Sequence, residues 1–368
     1  MIKVAHVRWA EPTGGVESFL RDLCKFYTKT TFEMRFFFIC RPGPYFDEMR
    51  ELGCQVVLIP AHSGYDIFMR IKLMHALRDF GPDVVMDHGG PPLMMTCAKF
   101  STGVPVVSFE HGNIEVNRRK GKGWLNYING IELKTIAHGL VVNSSANRKL
   151  VSVTHGISED KIQIIYLGIA INKLNASICP KDTDNLTIGY VGRISDNDKG
   201  TDRLPKLAQL LNLKLLTPFI FEIIGDGPDL DSLKKSVADY ALSHQFVFHG
   251  RKNDVVTLLQ NIDIVLIPSR TEAFGLVAIE ALAAGCRVVA FEVGGLPEVL
   301  TDCTSSIMVP DGNLEAMANA VITFWRNHGK SRSQDGPIFV NRKFNIKKTV
   351  EAIEDYCKKI LAQNSITK

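Results

Sequence analysis

The chain has 368 residues, of which 45% are hydrophobic and 22% are charged, and its formal net charge is +4. This length exceeds one ordinary hydrophobic core and predicts two domains, and the composition is that of a soluble globular protein. No run approaches the roughly 18 uninterrupted apolar residues that a membrane-spanning helix needs. Met1 to Val7 predicts a first strand and not a signal peptide, because the apolar h-region of a signal peptide does not follow Lys3.

Cysteine usage and the distribution of charge give two further expectations. The eight cysteines form no C-x-x-C pair and no regular framework, which predicts reduced core thiols in a cytoplasmic protein. Residues 1–175 hold 21 Lys/Arg against 16 Asp/Glu, and the remaining residues hold 22 against 23. The basic excess of the first half suits an anionic partner: a phosphorylated lipid, a membrane surface or nucleic acid.

Apolar strands alternate with periodic helices through the first half of the chain. This rhythm predicts a parallel sheet covered by helices on both faces, and the polar stretch 174–185 predicts a linker after it. The predicted strands are Lys3–Trp9, Met34–Cys40, Gln55–Ile59, Asp83–Met86, Pro105–Phe109, Gly139–Asn143 and Lys161–Tyr166. The predicted helices are Ser18–Tyr27, Phe46–Leu52, Ile67–Asp79, Leu93–Phe100 and Ala146–Val153.

The second half repeats the alternation and predicts a second parallel sheet. Its predicted strands are Leu186–Val191, Phe219–Ile224, Phe246–Phe248, Ile262–Pro268 and Val288–Phe291. Its predicted helices are Leu230–Leu242, Asn253–Gln260, a helix of about ten residues from Leu276 to the stop at Gly285, and a C-terminal helix at Ile346–Leu361.

The stretch Ser269–Gly285 is the strongest candidate for a binding site. It connects a buried strand to a helix through a loop that ends in Phe274-Gly275, where unpaired backbone N–H groups attract an anion. Glu272 and Glu280 flank this point, and each carboxylate can accept hydrogen bonds from the diol of a sugar or a ribose. A solvated helix with two unrelated glutamates is the alternative interpretation.

Three other strand ends carry residues suited to an anionic ligand. Gly14 and Gly15 separate the first strand from the first helix and let the backbone approach a phosphate, although the segment is also compatible with a tight turn. Arg193 and Lys199 follow a strand and predict a grip on a diphosphate. His111 follows another strand, where ligands bind in such sheets, but a lone histidine is often structural.

One pattern that suggests a metal site has a simpler explanation. The D-x-D pattern of metal–diphosphate sites occurs at 182–184, 196–198 and 229–231, and this frequency favours turns and predicts no bound metal.

The segment Arg118–Trp124 combines four basic residues with glycines and a tryptophan. It is typical of a membrane-interface contact, with a solvated loop as the alternative, and it has too few aromatic residues for a nucleic-acid groove.

Taken together, these residues resemble the retaining glycosyltransferases of family 4, which have the GT-B fold. The matching pieces span nearly the whole chain in the order of the family. One departure is the loop between Arg193 and Lys199, which is about one residue longer and more acidic than is usual. The pieces are Gly14-Gly15-x-Glu17, His111, Gly192-Arg193, Lys199-Gly200, Gly225-x-Gly-Pro228, Glu272-x-Phe-Gly275, Glu280-Ala281 and Gly294-Gly295-x-Pro-Glu298.

The resemblance implies an α/β fold of two Rossmann-like domains facing across a central cleft. Residues 1–175, with a C-terminal helix crossing back at about 345–368, would bind the acceptor, and residues 176–344 would bind the nucleotide sugar. The implied catalytic residues are His111, Glu272, Arg193 and Lys199. The implied nucleotide contacts are Gly14, Gly15, Arg193, Lys199, Gly225, Arg251, Phe274, Gly275, Leu276 and Glu280.

The implied reaction moves a hexose from a UDP- or GDP-type sugar to a glycan or lipid-linked acceptor, with retention and without a metal or a separate cofactor. The leaving phosphate oxygen takes the acceptor proton, so no carboxylate base is needed. We expect a cytoplasmic protein that reaches the inner face of a membrane through Arg118–Trp124 and binds no nucleic acid. The alternatives are a nucleotide-sugar epimerase or hydrolase and a silent nucleotide-sugar-binding partner. A dehydrogenase is disfavoured because no G-x-G-x-x-G follows the first strand.

Overall fold

A computed structural model describes residues 1–9, 14–39, 44–64, 66–112, 114, 123–170, 185–252 and 255–366. Internal contacts divide the chain into two compact units. The first unit is Met1–Ile169 with Ile346–Lys368, and the second is Ala170–Asn345. All but the last residue of the predicted linker at 174–185 lies outside the described part.

The first unit contains a seven-stranded parallel sheet in the order β3-β2-β1-β4-β5-β6-β7. Each predicted strand of this half is present, and the ends of all but Gln55–Ile59 are shifted by one or more residues. The strands are β1 Ile2–Trp9, β2 Phe32–Ile39, β3 Gln55–Ile59, β4 Val84–Asp87, β5 Val106–Glu110, β6 Gly139–Val142 and β7 Ile162–Ile164.

Helices connect these strands. The helices are Gly15–Phe26, Pro44–Glu51, Ile67–Phe80, Met94–Thr102, Gly123–Thr135 and Ser145–His155. The helix at Gly123–Thr135 was not predicted, because its amphipathic pattern begins inside the basic glycine-rich stretch. Its Glu132 is buried and accepts hydrogen bonds from the backbone N–H groups of Leu93, at 2.7 Å, and Thr96, at 3.0 Å. Glu132 therefore caps the helix Met94–Thr102, whose N-terminal groups would otherwise lack acceptors.

The C-terminal helix Ile346–Ile366 belongs to the first unit, which confirms that the chain crosses back. Glu354 accepts a hydrogen bond from the backbone N–H of Thr28 at 2.7 Å, and the hydroxyl of Thr349 donates to the carbonyl of Tyr166 at 2.8 Å. Both side chains are buried, so the helix is fixed by satisfied polar contacts as well as by apolar packing.

The second unit contains a six-stranded parallel sheet in the order β10-β9-β8-β11-β12-β13. The strands are β8 Leu186–Val191, β9 Phe219–Ile224, β10 Phe246–Gly250, β11 Ile264–Ile267, β12 Arg287–Phe291 and β13 Ser306–Val309. The helices are Asp196–Lys199, Arg203–Lys214, Leu230–Asp239, Val255–Leu259, Leu276–Ala283, Leu296–Leu300, Leu314–His328 and Asp335–Lys343.

Each sheet is buried between its helices, as continuous β-branched and aromatic runs predict for parallel strands. In the first unit, Phe37 and Val85 on the strands pack in one cluster with Leu73 and Leu77 of a covering helix. In the second unit, Phe221 and the helix residues Leu207 and Val321 share a core cluster. These cores hold the strand ends in place and so position the loops that follow them.

Two cysteines differ from the expectation of reduced thiols throughout. Cys24, on the helix Gly15–Phe26, and Cys54, just before β3, form a disulfide with their Cα atoms 6.1 Å apart. Cys97, Cys286 and Cys303 are among the free cysteines of the described residues. The expectation was wrong for Cys24 and Cys54 because the fold brings together residues 30 positions apart, which spacing alone does not show.

Among the described helices, none is both long enough and apolar enough to cross a membrane.

Candidate active site

The order of strands in the second unit locates a candidate ligand site. Its first strand, β8, lies beside β11, while β9 and β10 continue to one side and β12 and β13 to the other. At such a reversal of strand order the loops leaving the two central strands diverge and open a crevice at the carboxyl edge of the sheet. The loop after β8 carries Arg193 and Lys199, and the loop after β11 carries Glu272 and Phe274.

Glycines allow the loops at this edge to pack backbone against backbone. A Cβ on Gly225 would lie 1.8 Å from the carbonyl oxygen of Gly192, and one on Gly294 would lie 1.8 Å from that of Glu272. Gly225 also has a φ of 150°, which other residues rarely adopt. These positions therefore require glycine, and the close contacts make the carboxyl edge a rigid platform.

Arg193 is held by groups of its own loop. Its guanidinium donates to the carboxylate of Asp198, and its carbonyl accepts a hydrogen bond from the Tyr190 hydroxyl at 2.6 Å. Burial opposes the charge of Asp198, but hydrogen bonds from Ser195 and Arg193 outweigh it, so its pKa is lowered. Asp198 thus stays ionised and orients Arg193, a role that the interpretation of 196–198 as a turn missed.

Lys199 and Glu272 form an ion pair across the crevice between the β8 and β11 loops. Their side chains are 26% and 15% exposed, and the Ser269 hydroxyl donates to the same carboxylate at 3.1 Å. Two predicted site residues that lie 73 positions apart are therefore in direct contact. Lys199 and Arg193 therefore each pair with a carboxylate.

The helix Leu276–Ala283 begins beside this pair. Gly275 precedes it with a φ of 100° and has no side chain with which to cap the first turn. Phe274 is buried edge-on against Phe344, with ring centroids 5.7 Å apart, which fixes the loop that leads into the helix. Backbone N–H groups at such a helix start suit a phosphate oxygen. Glu280 lies half-buried on the same helix.

Arg251 is exposed directly after β10, whose last residue, Gly250, accepts a hydrogen bond from the backbone N–H of Gly225 at 2.9 Å. The interpretation of one D-x-D match as a turn fits less well. Residues 196–199 form a short helix and not a turn. The Asp196 carboxylate accepts from the Thr201 hydroxyl at 2.6 Å, and Asp229 accepts from the Asp196 backbone at 2.8 Å.

No cluster of three metal-ligating side chains occurs in the described ranges, and the remaining D-x-D match, 182–184, lies outside them.

The first unit has a corresponding edge. Its strand order reverses between β1 and β4, where the helix Gly15–Phe26 follows β1. A Cβ on Gly14 would lie 2.4 Å from the Glu17 carboxylate, which is buried and accepts from Arg8 Nε at 3.0 Å. Arg8 also donates to the carbonyl of His88 at 2.7 Å. The predicted Gly14-Gly15-x-Glu17 segment is thus built around an ion pair that ties β1 to the end of β4.

His111 belongs to a chain of three histidines at this edge. His6 Nδ1 lies 2.9 Å from His88 Nε2, and His88 Nδ1 lies 3.0 Å from His111 Nε2. Burial lowers the pKa of His6 to about 3 and places those of His88 and His111 well below the usual value. The three imidazoles are therefore neutral. Sequence reasoning missed His6 and His88, although D-H-G at the end of β4 repeats the E-H-G at the end of β5.

Most of the predicted membrane-contact segment Arg118–Trp124 lies outside the described ranges, namely residues 118–122. Trp124 and Tyr127, on the helix that follows, are 51% and 74% exposed.

Family models match almost all of the chain. The model for glycosyltransferase family 4 matches residues 13–173, and that for glycosyl transferases group 1 matches residues 174–335. The first match falls in the histidine-bearing unit, and the second covers nearly all of the unit that carries Arg193, Lys199 and Glu272.

Individual proteins agree with this result. The chain is 32% identical over 136 residues to 2-deoxystreptamine glucosyltransferase of Streptomyces kanamyceticus, a match covering 36% of this chain and 35% of that protein. It is 28% identical over 175 residues to 2-deoxystreptamine N-acetyl-D-glucosaminyltransferase of Streptomyces fradiae, covering 46% and 41%. These matches span less than half the length of either relative.

The crystal structure of Anabaena HepE in complex with UDP-glucose superposes with a TM-score of 0.82, at 18% identity, over 98% of this chain and 100% of that chain. Two parallel Rossmann-like sheets, the returning C-terminal helix and the two family matches all lead to one assignment. The chain belongs to the family 4 glycosyltransferases and has the GT-B fold.

Proposed function

We propose that the protein is a retaining, metal-independent hexosyltransferase that uses a UDP-sugar as donor. The observation that carries this proposal is the contact of Lys199 with Glu272 across the crevice between the β8 and β11 loops. A cation and a carboxylate thus lie beside a helix N-terminus at one edge of one sheet, and we propose that the carboxylate binds the donor sugar. UDP is favoured over GDP because the similar HepE structure contains UDP-glucose.

In the proposed ground state the donor diphosphate takes over the cations that carboxylates hold in the free protein. Arg193 binds through its planar fork, Lys199 as a point charge, and the N–H groups at the start of Leu276–Ala283 bind a phosphate oxygen. Glu272, released from Lys199, accepts hydroxyl hydrogen bonds from the donor sugar, and Glu280 accepts those of the ribose. His111 in the first unit is a further proposed contact of the donor sugar.

The bond between the anomeric carbon and the diphosphate oxygen breaks as the acceptor oxygen bonds to that carbon on the same face. The acceptor proton passes to the departing phosphate oxygen, so atoms and charge balance without a carboxylate base. Negative charge develops on the diphosphate, where Arg193, Lys199 and the helix dipole stabilise it.

The proposed acceptor is a glycan or a lipid-linked sugar, reached by peripheral contact with a membrane. Two observations support this. Residues 1–175 carry a basic excess, and the last residue of Arg118–Trp124, Trp124, is exposed together with the nearby Tyr127. The proposed site of action is the cytoplasmic face of a membrane.

A panel of UDP, GDP, ADP and their sugar conjugates, with and without EDTA, tests the donor site by thermal stabilisation. A ligand present at about 100 times its dissociation constant adds about 2.7 kcal/mol to the free energy of unfolding. We expect stabilisation by UDP and one UDP-sugar that EDTA does not change. Stabilisation by none of the nucleotides would refute the donor site, and dependence on a divalent metal would refute the metal-free site.

Product analysis separates transfer from the epimerase or hydrolase alternative. With a UDP-sugar and an acceptor extract, a transferase releases UDP in step with a new glycoside. Free sugar without glycoside would identify a hydrolase, and a changed sugar still attached to UDP would identify an epimerase.

A further inference from the structure

The chain His6–His88–His111 runs across three neighbouring strands. His6 lies within β1, paired with Met86 of β4, while His88 and His111 directly follow β4 and β5. The rings of His6 and His88, and those of His88 and His111, stack with centroids 5.2 and 5.3 Å apart. His6 is 1% exposed and His88 is fully buried, so solvent does not compete for their hydrogen bonds.

In such a chain of neutral imidazoles, both hydrogen bonds must run in the same direction from donor to acceptor. Each neutral ring has one N–H and one bare nitrogen, and each contact needs one of each. Either His6 donates to His88 and His88 donates to His111, or both bonds run in the opposite direction. The direction decides whether the outer nitrogen of His111, Nδ1, carries a proton.

The two ends of the chain favour one direction. Among the described residues, His6 Nε2 and His111 Nδ1 are buried and have no hydrogen-bond partner. A bond direction toward His6 would leave an N–H unpaired inside the sheet, where burial is complete. The direction toward His111 puts that N–H on a half-buried residue at the strand end, where a ligand oxygen can accept it.

We propose that His88, held by His6, is a positioning residue that fixes His111 as its Nδ1–H tautomer, so that His111 donates through Nδ1 to an oxygen of the bound donor sugar. That the acceptor is an oxygen of the donor sugar rests on the proposed function, whereas the Nδ1–H tautomer of His111 does not. The lowered pKa values of the three histidines support the inference, since a cationic ring would not need a partner to supply a donor.

Imidazole ¹⁵N NMR of the full chain without ligand tests the tautomer directly, because N–H and bare nitrogens have well-separated shifts. Single histidine variants assign the signals. We expect the proton on Nδ1 in His6, His88 and His111 at neutral pH. A proton on Nε2 of His111, or an imidazolium at that position, would overturn the inference whether or not the protein is a transferase.

A kinetic test uses two substitutions of His88 that differ in what they keep. His88→Phe keeps a ring in the stack and removes both hydrogen bonds, whereas His88→Asn keeps a polar group near the Nδ1 position that faces His111. With UDP-glucose as probe, we expect His88→Phe to lower kcat/KM about tenfold, the scale of one misdirected hydrogen bond, and His88→Asn to lower it less. UDP affinity, which involves no sugar contact, should be the same in both. Equal losses in both variants, or a parallel loss of UDP affinity, would contradict a role through His111.

A double-mutant cycle separates positioning from general packing. In a His111→Ala background, His88→Phe should cause no further loss of kcat/KM, because His88 acts only through His111. Additive losses would show a structural role and overturn the proposal. If His88→Phe does not fold, the NMR result still decides it, and absence of turnover by the unmodified protein would count against the proposed function alone.

Discussion

Arg193→Ala removes one of the two cations proposed to stabilise the departing diphosphate. Loss of one preorganised contact of this kind costs about 3–4 kcal/mol of transition-state stabilisation, which lowers kcat about 150- to 1,000-fold. The fold should be affected far less. The Arg193 side chain is 35% exposed, so its pair with Asp198 contributes about 1 kcal/mol or less. The melting temperature should therefore fall by no more than about 2–4 °C.

Arg193→Lys is the matched control, because it keeps the charge and loses the planar fork that grips two oxygens. We expect Arg193→Lys to lower kcat about tenfold, which is a smaller loss than that of Arg193→Ala. The assay is the initial rate of UDP release coupled to glycoside formation, with melting temperatures measured on the same samples. Turnover of Arg193→Ala within threefold of the unmodified protein would refute the role, and a large drop in melting temperature would assign Arg193 to the fold.

Three further outcomes are expected. Gly225→Ala places a Cβ 1.8 Å from a backbone carbonyl and should weaken UDP binding at least tenfold in calorimetry. Gly329→Ala is the control, because Gly329 also has a positive φ but no atom lies within 4 Å of its Cβ position, and it should leave UDP affinity unchanged. Equal affinities of the two variants would contradict the rigid platform. Burial raises the pKa of Asp87 to about 8, so its contribution to stability is complete below about pH 4 and is lost as pH rises through 8, by about 1.4 kcal/mol per unit. Urea titrations should show that the free energy of unfolding falls less between pH 5 and pH 8 in Asp87→Asn than in the unmodified protein. An equal fall in both proteins would disprove this. Replacing Trp124 and Tyr127 by alanine should weaken sedimentation with anionic vesicles several-fold, and unchanged sedimentation would argue against the membrane contact.

The strands were predictable because parallel strands are buried on both faces and therefore appear as continuous apolar runs. Gln55–Ile59 and Phe219–Ile224 were predicted with their observed ends. The strand Ser306–Val309 and the helices Arg203–Lys214 and Leu314–His328 were missed. The first of these helices has Pro205 in its opening turn, which helix starts tolerate but which reads as a breaker in sequence.

The candidate site was predictable as single residues and not as pairs. Arg193, His111 and Glu272 were identified because each follows an apolar strand, and the carboxyl ends of parallel strands bind ligands. Their partners depend on which strands are neighbours. Lys199 meets Glu272 only because β8 lies beside β11, and His111 meets His88 only because β4 lies beside β5. That order arises from packing, which local patterns do not encode.

Titration calorimetry of UDP in the presence of EDTA tests the central claim most directly, using the unmodified protein and Lys199→Ala. The account predicts that UDP binds without metal and that Lys199→Ala weakens binding about ten- to a hundredfold, the range for a charged hydrogen bond. It also predicts that Lys206→Ala, at an exposed position of the helix Arg203–Lys214, leaves the affinity unchanged. Binding that requires a divalent metal, or equal affinities for all three proteins, would contradict a diphosphate site built on Lys199 and its neighbours.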